Sequence, residues 1–205
     1  MALARDLLAR RGGTRLLTMA ENGPLYLFDP VRNADLRVVL FGAGHVGAAL
    51  AGILGGLACR VTWVDQRAEQ FPPSVPDNVA AVVSDTPVDE VDAAAPGSCF
   101  LVMTHSHALD QELSERILRR EDVAYFGLIG SATKRRQFEH RLAARGITAQ
   151  QLAGMVCPIG VPGVHGKEPA AVAVAVAAQV LQVHHARSAG ATASEVSGPR
   201  LGSRS

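Results

Sequence analysis

The chain has 205 residues, a formal net charge of +1 and 48% hydrophobic residues. That suits one domain with extensions and a core made mainly of Ala, Val, Leu and Ile, since aromatics are only 4%. The balanced charge gives no electrostatic case for a nucleic-acid partner, no uninterrupted apolar run reaches the roughly 18 residues of a membrane helix, and three scattered cysteines without a CxxC pair point to a reducing cytoplasm.

In chain order, residues 2–10 predict a short amphipathic helix ended by Gly12-Gly13. No apolar stretch and cleavage site follow Arg11, so this start does not read as a secretory signal. Leu25 to Phe28 predicts a strand closed by Asp29-Pro30. The main alternation begins at Arg37, with strands over 38–41, 60–64, 79–83, 99–103 and 124–129. Helices are predicted over 46–57, 109–119 and 133–145. A last helix over 169–183 starts on Pro169, where a missing N–H costs nothing, and its apolar part reads as buried. Short apolar strands separated by helices predict an α/β fold: a Rossmann-like, doubly wound parallel sheet in the order 3-2-1-4-5. The expected organisation is an N-terminal extension over 1–36, the Rossmann-like domain over 37–187, and a disordered tail over 188–205, where Ser, Gly, Arg and Thr dominate.

The turn Gly42-Ala43-Gly44-His45-Val46-Gly47 matches G-x-G-x-x-G, follows a strand and opens a helix. Asp65 ends the next strand eighteen residues after Gly47, near the spacing of a dinucleotide-binding unit. Gly42 permits the tight turn, Gly44 lets backbone approach a phosphate, and Gly47 lets the helix pack on the sheet. The helix N-terminus offers N–H groups and partial positive charge to an anion. Asp65 is expected to accept hydrogen bonds from vicinal hydroxyls. Arg67 has two readings, stacking on a heterocycle or pairing with a phosphate, against that of a solvated loop arginine.

Thr104-His105-Ser106-His107-Ala108-Leu109-Asp110 follows the fourth strand of this sheet. In that order it faces the crevice at the switch point, so His45, His105 and His107 are expected to converge there on an oxoanion, a pterin or a metal centre. The plainer reading has Thr104 capping the next helix and Asp110 serving its first turn. His45, His105, His107 and Cys157 match no zinc spacing, so no metal is expected. Gly130-Ser131 should reach the same rim. Lys134, Arg135 and Arg136 oppose the dipole of the helix they open, which an anionic ligand would relieve. Cys157 is either a soft-metal or sulfur-carrying thiolate or a small buried hydrophobe, with burial favoured. Lys167 is placed to reach an anion over the crevice.

Five ordered motifs carry a family resemblance: Val39 to Gly47, Val64-Asp65-Gln66-Arg67, Met103 to Asp110, Gly127 to Arg135, and Cys157-Pro158-Ile159-Gly160 with Gly166-Lys167-Glu168-Pro169. Over residues 23–183 the chain resembles the XdhC/CoxI family. The resemblance implies an accessory protein, not an enzyme. Such a protein binds the molybdopterin form of the molybdenum cofactor and supports its sulfuration with a cysteine desulfurase as partner. It then supports insertion into xanthine dehydrogenase, an enzyme of purine catabolism. A homodimer is compatible with the family. Members usually carry an N-terminal domain with a glycine-flanked cysteine. Here no cysteine precedes Cys59, so the resemblance does not extend to it. The competing functions are an NAD(P)-dependent oxidoreductase and a nucleotide-sensing regulatory module. Against the oxidoreductase, no substrate domain follows the fifth strand and no Tyr-x-x-x-Lys pair is visible.

Overall fold

The computed structural model describes residues 15–18, 25–28, 36–164 and 166–195. The helix expected over 2–10 lies outside them. The chain divides into two units, Met1–Asp35 and Leu36–Ser205. In the first, β1 (Arg15–Thr18) pairs antiparallel with β2 (Leu25–Phe28), Arg15 opposite Phe28. β2 falls where the apolar run predicts it; β1 was not anticipated.

The second unit contains β3 (Leu36–Phe41), α1 (His45–Gly55), β4 (Cys59–Asp65), β5 (Val79–Val83) and the short α2 (Asp89–Ala93). Then come β6 (Cys99–Val102), α3 (His107–Leu118), β7 (Tyr125–Leu128) and α4 (Ala132–Ala144). It ends with α5 (Ala149–Ala153), β8 (Met155–Val156) and α6 (Pro169–Glu195). All six strands are parallel, in the order β5-β4-β3-β6-β7-β8. This is the doubly wound Rossmann-like sheet, with β8 added as a sixth strand beyond the five expected.

Strand side chains alternate between faces, and the alternation builds two cores. Val38, Leu40, Val61, Trp63 and Leu101 face Leu50 and Leu54 of α1 and Ala173, Val176, Ala177 and Val180 of α6. Val39, Phe41, Val64, Phe100 and Val102 face Leu113 and Ile117 of α3 and Phe138 and Leu142 of α4. Both faces are covered, which is why these strands read as unbroken apolar runs. Asn78, just before β5, donates from its amide to the carbonyls of Leu54 (3.0 Å), Leu57 (3.2 Å) and Cys59 (3.1 Å), closing the end of α1.

Two expectations about α6 need correction. It runs to Glu195, so residues 188–195 are helical where a disordered tail was expected. Composition marked this stretch as lacking a core, but a helix already nucleated can continue through residues of modest propensity without a second nucleation cost. Its apolar part is also only half buried. Ala173, Val176, Ala177 and Val180 are enclosed, whereas Val174 is 55% exposed, because the sheet and α1 cover one side only. By length and composition alone, Pro169–Ala189 is long and apolar enough to cross a membrane.

The register brings the strand ends together: Phe41 sits opposite Val64 on one side and Val102 on the other. The segments leaving β3, β4 and β6 therefore emerge side by side. Gly42 (φ +111°) turns the chain there, and a β-carbon on it would lie 2.4 Å from the Met103 carbonyl oxygen. On Gly47 it would lie 2.0 Å from the Gly42 oxygen, whereas on Gly44 it would meet nothing within 4 Å. Gly47→Ala should therefore cost at least about 2 kcal/mol through overpacking against backbone, and Gly44→Ala less than about 1 kcal/mol as a poorer N-cap. Urea unfolding of both variants checks the order; equal losses would contradict the packing argument.

Candidate functional site at the switch point

The turn is locked from below by hydrogen bonds. Gly42 donates its N–H to the Val64 carbonyl at 2.8 Å, and its own carbonyl accepts from Trp63 Nε1 at 3.0 Å. Gly44 is the N-cap of α1, and no side chain caps that terminus. Among the described residues, the first-turn N–H groups therefore lack a side-chain capping partner. His45, the first residue of the helix, is exposed.

Asp65 is 5% exposed. Its Oδ2 accepts from Ala43 N–H at 2.6 Å and from Arg67 Nη2 at 3.0 Å. Its Oδ1 accepts from Arg67 N–H at 3.0 Å and Arg67 Nε at 2.9 Å. A carboxylate offers about four lone-pair sites, and all are taken. Burial pushes this carboxyl up. The Arg67 side chain, the Ala43 and Arg67 N–H groups and the Arg67 charge outweigh that and hold it below its ordinary value. Arg67 thus makes a bidentate internal pair, which is neither the ligand contact nor the solvated loop arginine of its two readings, and Asp65 presents no open acceptor to hydroxyls.

The histidine loop is held by a second buried carboxylate. Asp110 is fully buried. Its Oδ1 accepts from Thr104 N–H (3.1 Å) and Thr104 Oγ1 (2.7 Å), and its Oδ2 from Lys134 Nζ (2.7 Å). Lys134, with its side chain 13% exposed, also donates to the Ile129 carbonyl at 2.9 Å. Ser106, not Thr104, caps α3, accepting from Leu109 N–H at 3.3 Å. Thr104 Oγ1 instead accepts from Ser106 N–H at 3.1 Å, shaping the loop as a hydroxyl turn. His105 and His107 are both exposed.

Two of the three positive charges that open α4, Lys134 and Arg135, find partners within the chain. Lys134 pairs with Asp110, and Arg135 pairs with Glu139 at 2.7 Å. Ser131 caps α4, accepting from Lys134 N–H at 3.2 Å. The dipole conflict is therefore relieved largely from inside. Cys157 is buried, and burial pushes its thiol up against the opposing pull of Lys134 and Arg135. Burial raises Cys59 as well and pushes Cys99 up to about 11. The loop after Cys157 is pinned to α6, because Gln179 Oε1 accepts from Gly160 N–H at 2.7 Å and from the Tyr125 hydroxyl. Lys167 is exposed.

A shallow cleft, open to solvent, lies at the ends of β3, β4 and β6. Of the residues expected in the site, it brings together Gly42, Asp65, Thr104 and His105. Arg67 reaches it through Asp65. His45, His107, Gly44, Gly47, Gly130, Ser131 and Lys167 are not in its lining. Gln66, Pro87 and Leu109 line it as well and were not anticipated. Gln66 carries a signal in hindsight, since it stands between Asp65 and Arg67 just past a strand's carboxyl end. The loop bearing Pro87 is legible only once β5 is placed beside β4. Among the described residues, no group of three or more His, Cys, Asp or Glu is arranged to hold a metal ion. The arrangement can bind an anion at the α1 N-terminus and present a hydroxyl, an imidazole and an amide from Thr104, His105 and Gln66 to the group attached.

The family model of the XdhC Rossmann domain matches residues 38–180. YqeB, an uncharacterized protein of Escherichia coli (strain K12), is 27% identical over 178 residues, which span 84% of this chain and 32% of that protein. A crystal structure of a xanthine dehydrogenase from Bacillus halodurans aligns with a TM-score of 0.60 at 24% identity, covering 82% of this chain and 48% of that one. That likeness shows the fold alone. The chain spans well under two thirds of either relative.

Lys134→Met should leave the buried Asp110 carboxylate without its cation. A loss of about 3–5 kcal/mol is expected, and pairing it with Asp110→Asn should recover part of that. Chemical denaturation of the two single variants and the double variant measures the coupling. Strict additivity would show that the pair contributes nothing as a pair.

Proposed function

The chain belongs to the XdhC family, and from that membership we propose that it is an accessory protein of xanthine dehydrogenase, holding the molybdenum cofactor at the switch-point cleft for maturation of that enzyme. The observation that carries this reading is the shared rim. An uncapped helix N-terminus and the polar side chains of Thr104, His105 and Gln66 open on one side of the sheet.

The residues present fit a phosphate-bearing pterin. The α1 N–H groups suit its phosphate, and no side chain fills the space over Gly44. Thr104 and Gln66 offer polar atoms within the cleft, and His105 can donate or accept at its mouth. The cleft encloses little space of its own, so most of the ligand would rest on the open rim, where His45 and His107 stand exposed. When bound, the cofactor supplies a molybdenum centre carried on a dithiolene; the chain's own part is to bind, orient and shield it.

The same reading makes a cysteine desulfurase the source of sulfur. The burial and raised pKa values of Cys59, Cys99 and Cys157 support an outside source, because a thiol kept protonated is a poor sulfur carrier. It takes the chain to be a non-enzymatic maturation factor of the cytoplasm, able to form a homodimer. The competing reading, an NAD(P)-dependent oxidoreductase, asks Asp65 for contacts to ribose hydroxyls, and its acceptor sites are occupied.

Anaerobic purification followed by molybdenum analysis tests the proposal. The wild-type chain, loaded with cofactor, should retain molybdenum. His105→Ala should retain several-fold less with an unchanged melting temperature, because loop-rim substitutions cost little stability. No molybdenum above background in the wild type, or full retention in the variant, would contradict the assignment.

A further inference from the structure

Asp65 occupies the position from which a fold of this kind binds a ribose: the end of the second core strand, shortly after the glycine turn, facing the cleft. Yet its carboxylate is already saturated. Two of its four donors are backbone N–H groups, from Ala43 on Oδ2 and Arg67 on Oδ1. The other two come from a single guanidinium, with Nε on Oδ1 and Nη2 on Oδ2. Arg67 thus covers one acceptor site on each oxygen. That is the pair of sites a vicinal diol would use with its two hydroxyls.

We propose that Arg67 is a specificity-determining residue: its guanidinium occupies the diol-binding sites of Asp65 and makes the cleft select against ligands that carry a free ribose diol. This rests on the reading that the cleft is a ligand site. It narrows the ligand class to phosphate-bearing molecules that do not rely on a ribose diol. A diol entering the cleft must displace two hydrogen bonds that join opposite full charges in a planar fork, whereas its own hydroxyls bring no charge to the carboxylate. The guanidinium is also preorganised, being only two residues from its partner and tied by its own backbone N–H to the same oxygen. With its side chain still 31% exposed, Arg67 is reached from solvent, and it acts on the cleft through Asp65, which lines it.

The clamp is separable from the turn. Removing the guanidinium leaves Ala43 and Arg67 N–H on the carboxylate, so the glycine turn stays anchored while one acceptor site opens on each oxygen. Isothermal titration with ADP and with 2′,3′-dideoxy-ADP reads this directly, because the two probes share base and diphosphate and differ in the diol. The wild-type chain should bind the two alike or bind neither at millimolar concentration. Arg67→Ala, and Arg67→Met with its apolar stem retained, should prefer ADP by about tenfold, as hydrogen bonds to a charged group allow. Asp65→Asn placed on Arg67→Ala should erase that preference.

A tenfold preference for ADP already present in the wild type would overturn the proposal. So would Arg67 variants that bind neither probe or bind both alike. Failure of both single variants to fold would also overturn it, since Arg67 would then be a folding element. Molybdenum retention by the wild type tests the cofactor reading separately. Its absence leaves the measured diol preference standing, and an unchanged preference in the variants leaves the molybdenum result standing.

Discussion

The switch point depends on one buried carboxylate. Asp65 takes the Ala43 N–H at 2.6 Å and so ties the end of β4 to the middle of the glycine turn. Trp63, two residues earlier on the same strand, holds the Gly42 carbonyl. Gly47 then packs against that carbonyl so closely that a β-carbon has no room. Burying a carboxylate costs several kcal/mol unless donors surround it, and here four do. With Ala43 committed inward, the first-turn N–H groups of α1 are what the turn leaves for an outside anion.

A second buried carboxylate organises the other half of the rim. Asp110 holds Thr104 at the end of β6, and Lys134 carries that anchor across to α4 and to the Ile129 carbonyl at the end of β7. The histidine loop and the Gly130-Ser131 loop are therefore braced by one ion pair. His45 and His107 take no part in either network and stand exposed at the helix starts, which suits rim contacts better than a closed pocket. The division is physical: carboxylates inside fix the backbone, and imidazoles and amides are left outside on the rim.

Much of this was legible in the sequence. Strand position followed from unbroken apolar runs such as Val38 to Phe41, and the turn from its glycines in strand–helix context. The position of Asp65 was legible; its occupancy was not, because nothing in Asp65-Gln66-Arg67 distinguishes an arginine folded back on its neighbour from one reaching outward. Lys134 was read as seeking an outside anion because its partner lies 24 residues earlier, brought close only when β6 and β7 pair. β8 and α5 are too short to carry a period, and α2 shows one buried apolar residue, Val91. The extension of α6 was missed because composition measures what can form a core, whereas a helix already nucleated needs no core to continue.

Residue-resolved amide hydrogen exchange tests the central claim most directly, because the claim concerns which N–H groups of one turn are committed. The Ala43 amide should exchange as slowly as the core strands, since releasing it means exposing Asp65. The His45 and Val46 amides should exchange fast in the free chain and slow down when the molybdenum cofactor is added. An Ala43 amide that exchanges as fast as those of His45 and Val46 would contradict the account, for the turn would then be unanchored before any ligand arrives.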